Sequence, residues 1–102
     1  MTKYKAKRTA CQHGHTHDSA KEARRCNDLH LLQRAGQISG LEIQRPYDIA
    51  VNGKKICRYV ADFTYTEKGA FTVEDVKGMR TREYAIKRKL MSAVFGIEVR
   101  ET

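Results

Sequence analysis

The feature that most constrains the fold is a hairpin signal between residues 56 and 77. Two stretches rich in aromatic and β-branched residues, 56–66 and 71–77, flank the sequence Glu-Lys-Gly, which is typical of a tight turn. Strand interiors rarely contain charged side chains unless these are paired or functional. The predicted hairpin nevertheless contains Asp62, Glu74, Asp75 and Lys77, so its charges require an explanation.

The length of the turn decides which of these carboxylates meet. Side chains two residues apart on a strand share a face, so Asp75 and Lys77 point one way and Glu74 points the other. A turn of two or four residues places Asp62 directly opposite Asp75, with Cβ atoms about 5 Å apart. A three-residue turn places Asp62 opposite Glu74 instead, because a slip of one residue exchanges the faces.

A close pair of aspartates in this hairpin has two explanations. Proteins keep neighbouring carboxylates when a cation or a shared proton neutralises them. Mg²⁺ fits, because it is typically held by one or two carboxylates together with a substrate phosphate. A structural ion pair of Lys77 with Asp62 or Asp75 explains the pattern equally well, since structural networks also use such charges.

The rest of the chain predicts a small mixed α/β domain. Ser19 followed by Glu22 forms a capping-box pattern, which predicts a helix that runs to about Ala35 and ends at Gly36. The later elements are expected in the order strand 41–51, strand 56–66, strand 71–77, helix 82–94 and a short last strand beyond residue 96.

Glu22 itself has two interpretations. Its spacing from Ser19 accounts for it as the second member of the capping box. At about 100° per residue it also lies between Cys26 and Leu29 on the helix surface, on the side that we expect to face the core. A carboxylate at that position can reach the sheet, so one side chain can serve either purpose or both.

Composition and charge narrow the class of protein. The 102 residues suit one domain over 11–102, preceded by a flexible basic arm over 1–10. The formal net charge of +8 predicts a polyanionic partner, with nucleic acid foremost. No apolar run approaches the ~18 residues of a membrane helix, and no signal-like core opens the chain, so we expect no membrane partner and a cytoplasmic location.

A histidine-rich stretch precedes the first helix. Cys11, His13, His15 and His17 alternate along the chain, and cysteine and histidine are zinc ligands. The spacing matches none of the common structural zinc patterns, and strict alternation makes it hard to place four ligands around one Zn²⁺. We therefore expect a histidine-rich loop facing DNA rather than a zinc site.

The order of these segments resembles the PD-(D/E)XK nuclease superfamily, which has a restriction-endonuclease-like αβββαβ core. The match is closer to a family of small phage-encoded proteins of that superfamily that are assigned as endonucleases. The segments DSAKEARR, YVADFTY, VEDVKG and REYAIKRKLM resemble segments of that family in the same order. The resemblance extends over about residues 14–101.

This resemblance implies a Mg²⁺-dependent DNA endonuclease in which Mn²⁺ can substitute. Asp62 matches the first acidic residue of the motif, Asp75 the (D/E) position, Lys77 the lysine, and Glu22 the helix carboxylate. The three carboxylates would hold the metal, and Lys77 would orient the attacking water or stabilise the transition state. The residues expected to contact DNA phosphates are Arg80, Arg82, Lys87 and Arg88.

Two other functions remain open from the sequence. A non-catalytic DNA-binding or regulatory protein could use the same fold with structural charges, and it would bind DNA without divalent-dependent cleavage. A zinc-stabilised interaction protein could be built on the histidine-rich stretch, and its folding would be sensitive to chelators. Within the nuclease reading, junction resolution, nicking and general cleavage are all open, and so is a homodimer.

Overall fold

A computed structural model of the protein describes residues 9–10, 16–17, 19–76 and 80–102. Its elements are β1 (Thr9–Ala10), β2 (Thr16–His17), α1 (Ala20–Arg34), β3 (Ile38–Val51), β4 (Lys54–Glu67), β5 (Ala70–Asp75), α2 (Arg82–Phe95) and β6 (Arg100–Glu101). The predicted αβββαβ order is confirmed, with α1 ahead of three strands and α2 ahead of the last. The β1–β2 pair, which is antiparallel, was not predicted: it includes the last two residues of the expected arm.

The main sheet has four strands in the order β3-β4-β5-β6. The first three are antiparallel neighbours, whereas β6 runs parallel to β5 because α2 carries the chain back across the sheet. Pro46 lies in β3, which is an edge strand of the sheet. Proline has no N–H to donate to a neighbouring strand, and within sheets it is therefore found mainly on edge strands. No helix in the described residues is long and apolar enough to cross a membrane.

The turn between β4 and β5 sets the register of the hairpin. Lys68 and Gly69 both have positive φ, 51° and 79°, as the two-residue turns that suit twisted hairpins require. Phe63 therefore pairs with Glu74. One step further along, Asp62 lies opposite Asp75, so the structure selects the two-residue turn from the alternatives that the sequence left open.

The first helix begins and ends at local signals that the sequence carries. The Ser19 hydroxyl accepts a hydrogen bond from the Glu22 amide at 3.1 Å, and Gly36 has a φ of 80° just beyond the helix. The core beneath this helix is formed by Ala23, Cys26, Leu29, Ile38, Phe63 and Tyr65.

Glu74 ties the first helix to the sheet. The Arg25 guanidinium donates to both of its carboxylate oxygens, at 2.7 and 3.0 Å. The hydroxyls of Tyr65 and Thr102 also donate to it, at 2.5 and 3.1 Å. Burial by itself would raise the pKa of Glu74, but the hydrogen bonds from Arg25 and Tyr65 outweigh burial and hold the pKa below its ordinary value.

The second helix packs against a different part of the sheet. Thr81 caps its start by accepting a hydrogen bond from the Tyr84 amide at 3.1 Å, and Gly96 ends it with a φ of 68°. The core on this side is formed by Ile49, Tyr59, Ala61, Val73, Tyr84, Met91 and Val99. This helix therefore brings a basic surface close to the open end of the β4–β5 hairpin.

Arg25→Ala is expected to lower the free energy of unfolding by about 3 kcal/mol at neutral pH, because it leaves a buried carboxylate without its charged partner. Glu74 is fully buried, at 0% exposure. Because the pKa of Glu74 is depressed in the folded state, this contribution is present above the unfolded pKa of roughly 4 and is lost as the pH falls further. Urea denaturation at several pH values measures the effect.

Arg24→Ala is the matched control, since Arg24 is an exposed arginine of the same helix. It should change the free energy of unfolding by less than about 0.5 kcal/mol. Equal losses for the two variants would contradict the proposed role of the buried pair.

Candidate functional site

The candidate site lies where β4 and β5 separate beyond their last ladder pair. The backbone amide of Asp62 donates to Oδ1 of Asp75 at 3.0 Å. The backbone amide of Val76 donates to Oδ2 of Asp62 at 2.9 Å. Each aspartate thus accepts a hydrogen bond from the opposite segment, and these two bonds hold both carboxylates at the end of the hairpin.

Tyr59 completes the surroundings of Asp75. Its hydroxyl donates to Oδ2 of Asp75, and the two side chains are 3% and 1% exposed. Burial, followed by the charge of Asp75, raises the pKa of Tyr59, so the phenol remains a hydrogen-bond donor at neutral pH. Both oxygens of Asp75 therefore accept hydrogen bonds, and its orientation is set by the protein.

Glu22 brings a third carboxylate to this region from α1. It is buried, with 5% of its surface exposed. Burial, the charge of Asp75 and the charge of Glu22 together raise the pKa of Asp62 to about 8. Three of the four predicted site residues, which come from α1, β4 and β5, thus interact electrostatically. Glu74 lies on the other face of the hairpin, as predicted, and bonds to Arg25.

The chemistry of these side chains suits a divalent cation, because Mg²⁺ is bound by carboxylate oxygens. As they are arranged, however, no three Asp, Glu, His or Cys side chains among the described residues form a set that could hold a metal ion. The amide of Val76 and the hydroxyl of Tyr59 occupy part of the acceptor capacity of the two aspartates. The site would therefore attract a cation through an excess of buried negative charge.

Several predicted residues lie outside the described part of the chain. Lys77 is one of these, so its expected place beside Asp75 stays a prediction. Cys11, His13 and His15 are also outside, and of His17 only the backbone, in β2, is described. The expectation that this histidine-rich stretch is not a zinc site therefore stays a prediction.

The predicted DNA-contacting residues lie on α2 and just ahead of it. Arg80 and Arg82 are exposed, and Lys87 Nζ lies 4.0 Å from Glu83 Oε1. Arg80 and Arg88 both contact the carboxylate of Glu101 on β6. A groove of about 410 Å³ runs along this surface between α2 and the segment that precedes β6.

Sequence reasoning missed three side chains that shape this region: Tyr59, Arg25 and Glu101. Arg25 follows Glu22 by three residues and so lies on the same side of α1, which is a signal that could have identified it. Tyr59 and Glu101 reach the site through contacts between distant segments, and no local pattern marks them.

Asp62→Asn is expected to stabilise the protein, with a gain that grows as the pH rises. The pKa of Asp62 is raised in the folded state, so its ionisation lowers the free energy of unfolding. This loss begins as the pH rises above the unfolded pKa of roughly 4 and reaches its full size above the folded pKa. Removing the charge should add about 1–2 kcal/mol to the free energy of unfolding near the folded pKa of Asp62. Thermal denaturation across this pH range measures it.

Asp48→Asn is the matched control, because it makes the same substitution on β3, outside the β4–β5 hairpin. Asp48 is exposed and bonds to Arg58 at 2.7 Å, and this hydrogen bond lowers the pKa of Asp48. Its removal should bring no gain in stability at any pH. A neutral or destabilising effect of Asp62→Asn at alkaline pH would show that the carboxylates do not repel one another as described.

Comparison with known proteins identifies the family of the chain. No curated protein and no solved structure matches the chain significantly. A family model with the description "Protein of unknown function (DUF1064)" matches residues 1–102. Because this match extends over the whole sequence, the chain belongs to the DUF1064 family.

Proposed function

We propose that the protein is a Mg²⁺-dependent DNA endonuclease that hydrolyses phosphodiester bonds. The observation that carries this proposal is the opposed pair of Asp62 and Asp75, with Glu22 adding to the same negative field. Buried carboxylates that repel one another cost stability, and functional sites are where proteins commonly keep such a cost. The resemblance of YVADFTY and VEDVKG to nuclease segments supports the same chemistry.

In this proposal each side chain of the site has its own role in phosphodiester hydrolysis. Asp62, Asp75 and Glu22 would hold Mg²⁺, which when bound polarises a phosphoryl oxygen and lowers the pKa of a bound water. Tyr59 keeps Asp75 in one orientation through its hydrogen bond. Lys77 would add positive charge where negative charge develops in the transition state.

The basic surface of α2 would supply DNA affinity. Exposed arginine and lysine side chains bind backbone phosphates in a salt-dependent manner with little dependence on sequence. Arg82 is the first residue of this helix. Lys87 lines a pocket together with Tyr84 and Tyr59, and Tyr59 bonds to Asp75. Cleavage of both strands would need two such sites, so a homodimer is part of the proposal for double-strand cleavage.

A non-catalytic DNA-binding protein is the second candidate. It is favoured by the hydrogen bonds that Asp75 accepts from Tyr59 and from the Asp62 amide, because these bonds give the carboxylate a structural use. This candidate predicts salt-dependent DNA binding and no cleavage with Mg²⁺ or Mn²⁺. The proposed nuclease predicts salt-dependent DNA binding together with cleavage, so assays of binding and of cleavage distinguish the two candidates.

Asp75→Asn is expected to reduce Mg²⁺-dependent cleavage by at least about 10²–10³-fold, because a group positioned at the reacting phosphate is lost. Plasmid, single-stranded and branched DNA should be offered with Mg²⁺ or Mn²⁺, which also tests the preferred substrate. Binding to labelled DNA in EDTA should be unchanged within about twofold, since Asp75 makes no favourable phosphate contact without a cation.

Asp48→Asn is the control for this experiment, because it makes the same substitution at an exposed position on β3, which β4 separates from β5. It should cleave like the unmodified protein. Cleavage that survives Asp75→Asn would sink the assigned site, and binding without any cleavage by the unmodified protein would favour the second candidate.

A further inference from the structure

Three hydrogen-bond donors converge on the carboxylate of Glu101. The guanidinium of Arg80 donates to Oε1. The hydroxyl of Tyr84 and the guanidinium of Arg88 donate to Oε2, at 2.8 and 3.4 Å. The Glu101 side chain is 15% exposed. Two positive charges thus face one negative charge, and the cluster keeps an excess of one positive charge.

This set of donors is chemically suited to a phosphate. Guanidinium groups bind carboxylate and phosphate oxygens with the same forked geometry, and a phenol hydroxyl can donate to either. The hydrogen bond from Tyr84, followed by the charges of Arg88 and Arg80, lowers the pKa of Glu101. Glu101 is therefore ionised at neutral pH and places two anionic oxygens where a phosphodiester oxygen could bind.

The cluster lies next to the candidate site. Glu101 and Asp75 are directly paired across the parallel β5–β6 ladder, whose strands are about 4.8 Å apart. The hydroxyl of Tyr84 donates to Glu101, and burial, this hydrogen bond and then the charge of Asp75 raise the pKa of Tyr84. A DNA strand whose reacting phosphate is at Asp75 would bring a neighbouring phosphate towards this cluster.

The surroundings leave room for such a ligand. The groove of about 410 Å³ is lined by Arg80, Tyr84, Arg88 and Lys89 and opens at the same place. Arg80 is 65% exposed and Arg88 is 41% exposed. Both guanidinium groups are therefore accessible to an incoming phosphate.

We propose that Arg80, Arg88 and the Tyr84 hydroxyl form a binding site for one DNA backbone phosphate beside the reacting phosphate, and that Glu101 occupies this site until DNA displaces it. The location beside a reacting phosphate rests on the proposed nuclease function. The displacement of one anion by another requires only that the protein bind DNA. Glu101 thereby acts as an internal competitor that weakens DNA binding at this site.

The first test compares Glu101→Gln with Glu98→Gln in the full chain. Both remove one negative charge beside the groove, but Glu98 bonds to Ser92 rather than to the two arginines. Fluorescence anisotropy with a labelled DNA duplex in EDTA measures affinity without cleavage. Glu101→Gln should tighten binding several-fold more than Glu98→Gln, because only the first removes the competing anion. Equal effects of the two variants, or weaker binding by Glu101→Gln, would overturn the proposal.

The second test does not depend on the folding of Glu101→Gln. If Arg80 moves from Glu101 to a phosphate, Arg80→Ala should reduce the slope of log affinity against log salt concentration by about 0.9, the value for one lost phosphate contact. An arginine that stays paired with Glu101 predicts an unchanged slope, and that result would reject the displacement.

The two proposals fail in different ways. A protein that binds DNA and shows these shifts but never cleaves would reject the nuclease and leave the anion site standing. Cleavage that depends on Asp75, together with an unchanged salt slope in Arg80→Ala, would reject the anion site alone. A chain that binds no DNA would overturn both.

Discussion

The two-residue turn between β4 and β5 is the constraint on which the candidate site depends. Lys68 and Gly69 adopt the positive φ values that such a turn requires, and they thereby set every pairing along the hairpin. With this register, Asp62 faces Asp75 and Glu74 faces Phe63. A slip of one residue in this pairing would exchange the two faces and place a different carboxylate opposite Asp62.

The hairpin handles its buried acids in two opposite ways. Glu74 receives a bidentate arginine and two hydroxyl groups, so its charge is compensated and it serves to join α1 to the sheet. Asp62 accepts one hydrogen bond from a backbone amide, while burial and then the charges of Asp75 and Glu22 raise its pKa to about 8. The two strands of the hairpin therefore hold one carboxylate whose charge is compensated, Glu74 on β5, and one buried carboxylate that its neighbours repel, Asp62 on β4. That difference is the physical argument for a functional site at Asp62 and Asp75.

Local signals in the sequence predicted the framework well. The structure confirms three of these signals: the capping pattern at Ser19, the glycines that end the helices, and the turn at Gly69. Each of them depends on only a few neighbouring residues. The contacts of Tyr59 with Asp75 and of Glu101 with α2 join segments that are far apart in the chain. They depend on the path of β4 and on the parallel pairing of β6, neither of which leaves a periodic trace in the sequence.

The central claim is that Asp62, Asp75 and Glu22 attract one divalent cation. Mn²⁺ tests this directly, because its unpaired electrons broaden the NMR signals of nearby amides. In ¹⁵N-labelled protein titrated with substoichiometric Mn²⁺, the account predicts that the signals of Asp62, Asp75 and Val76 broaden first, and that Asp75→Asn abolishes this order. Broadening that begins at exposed acids such as Asp48 and Glu98, or that is the same in both proteins, would contradict it.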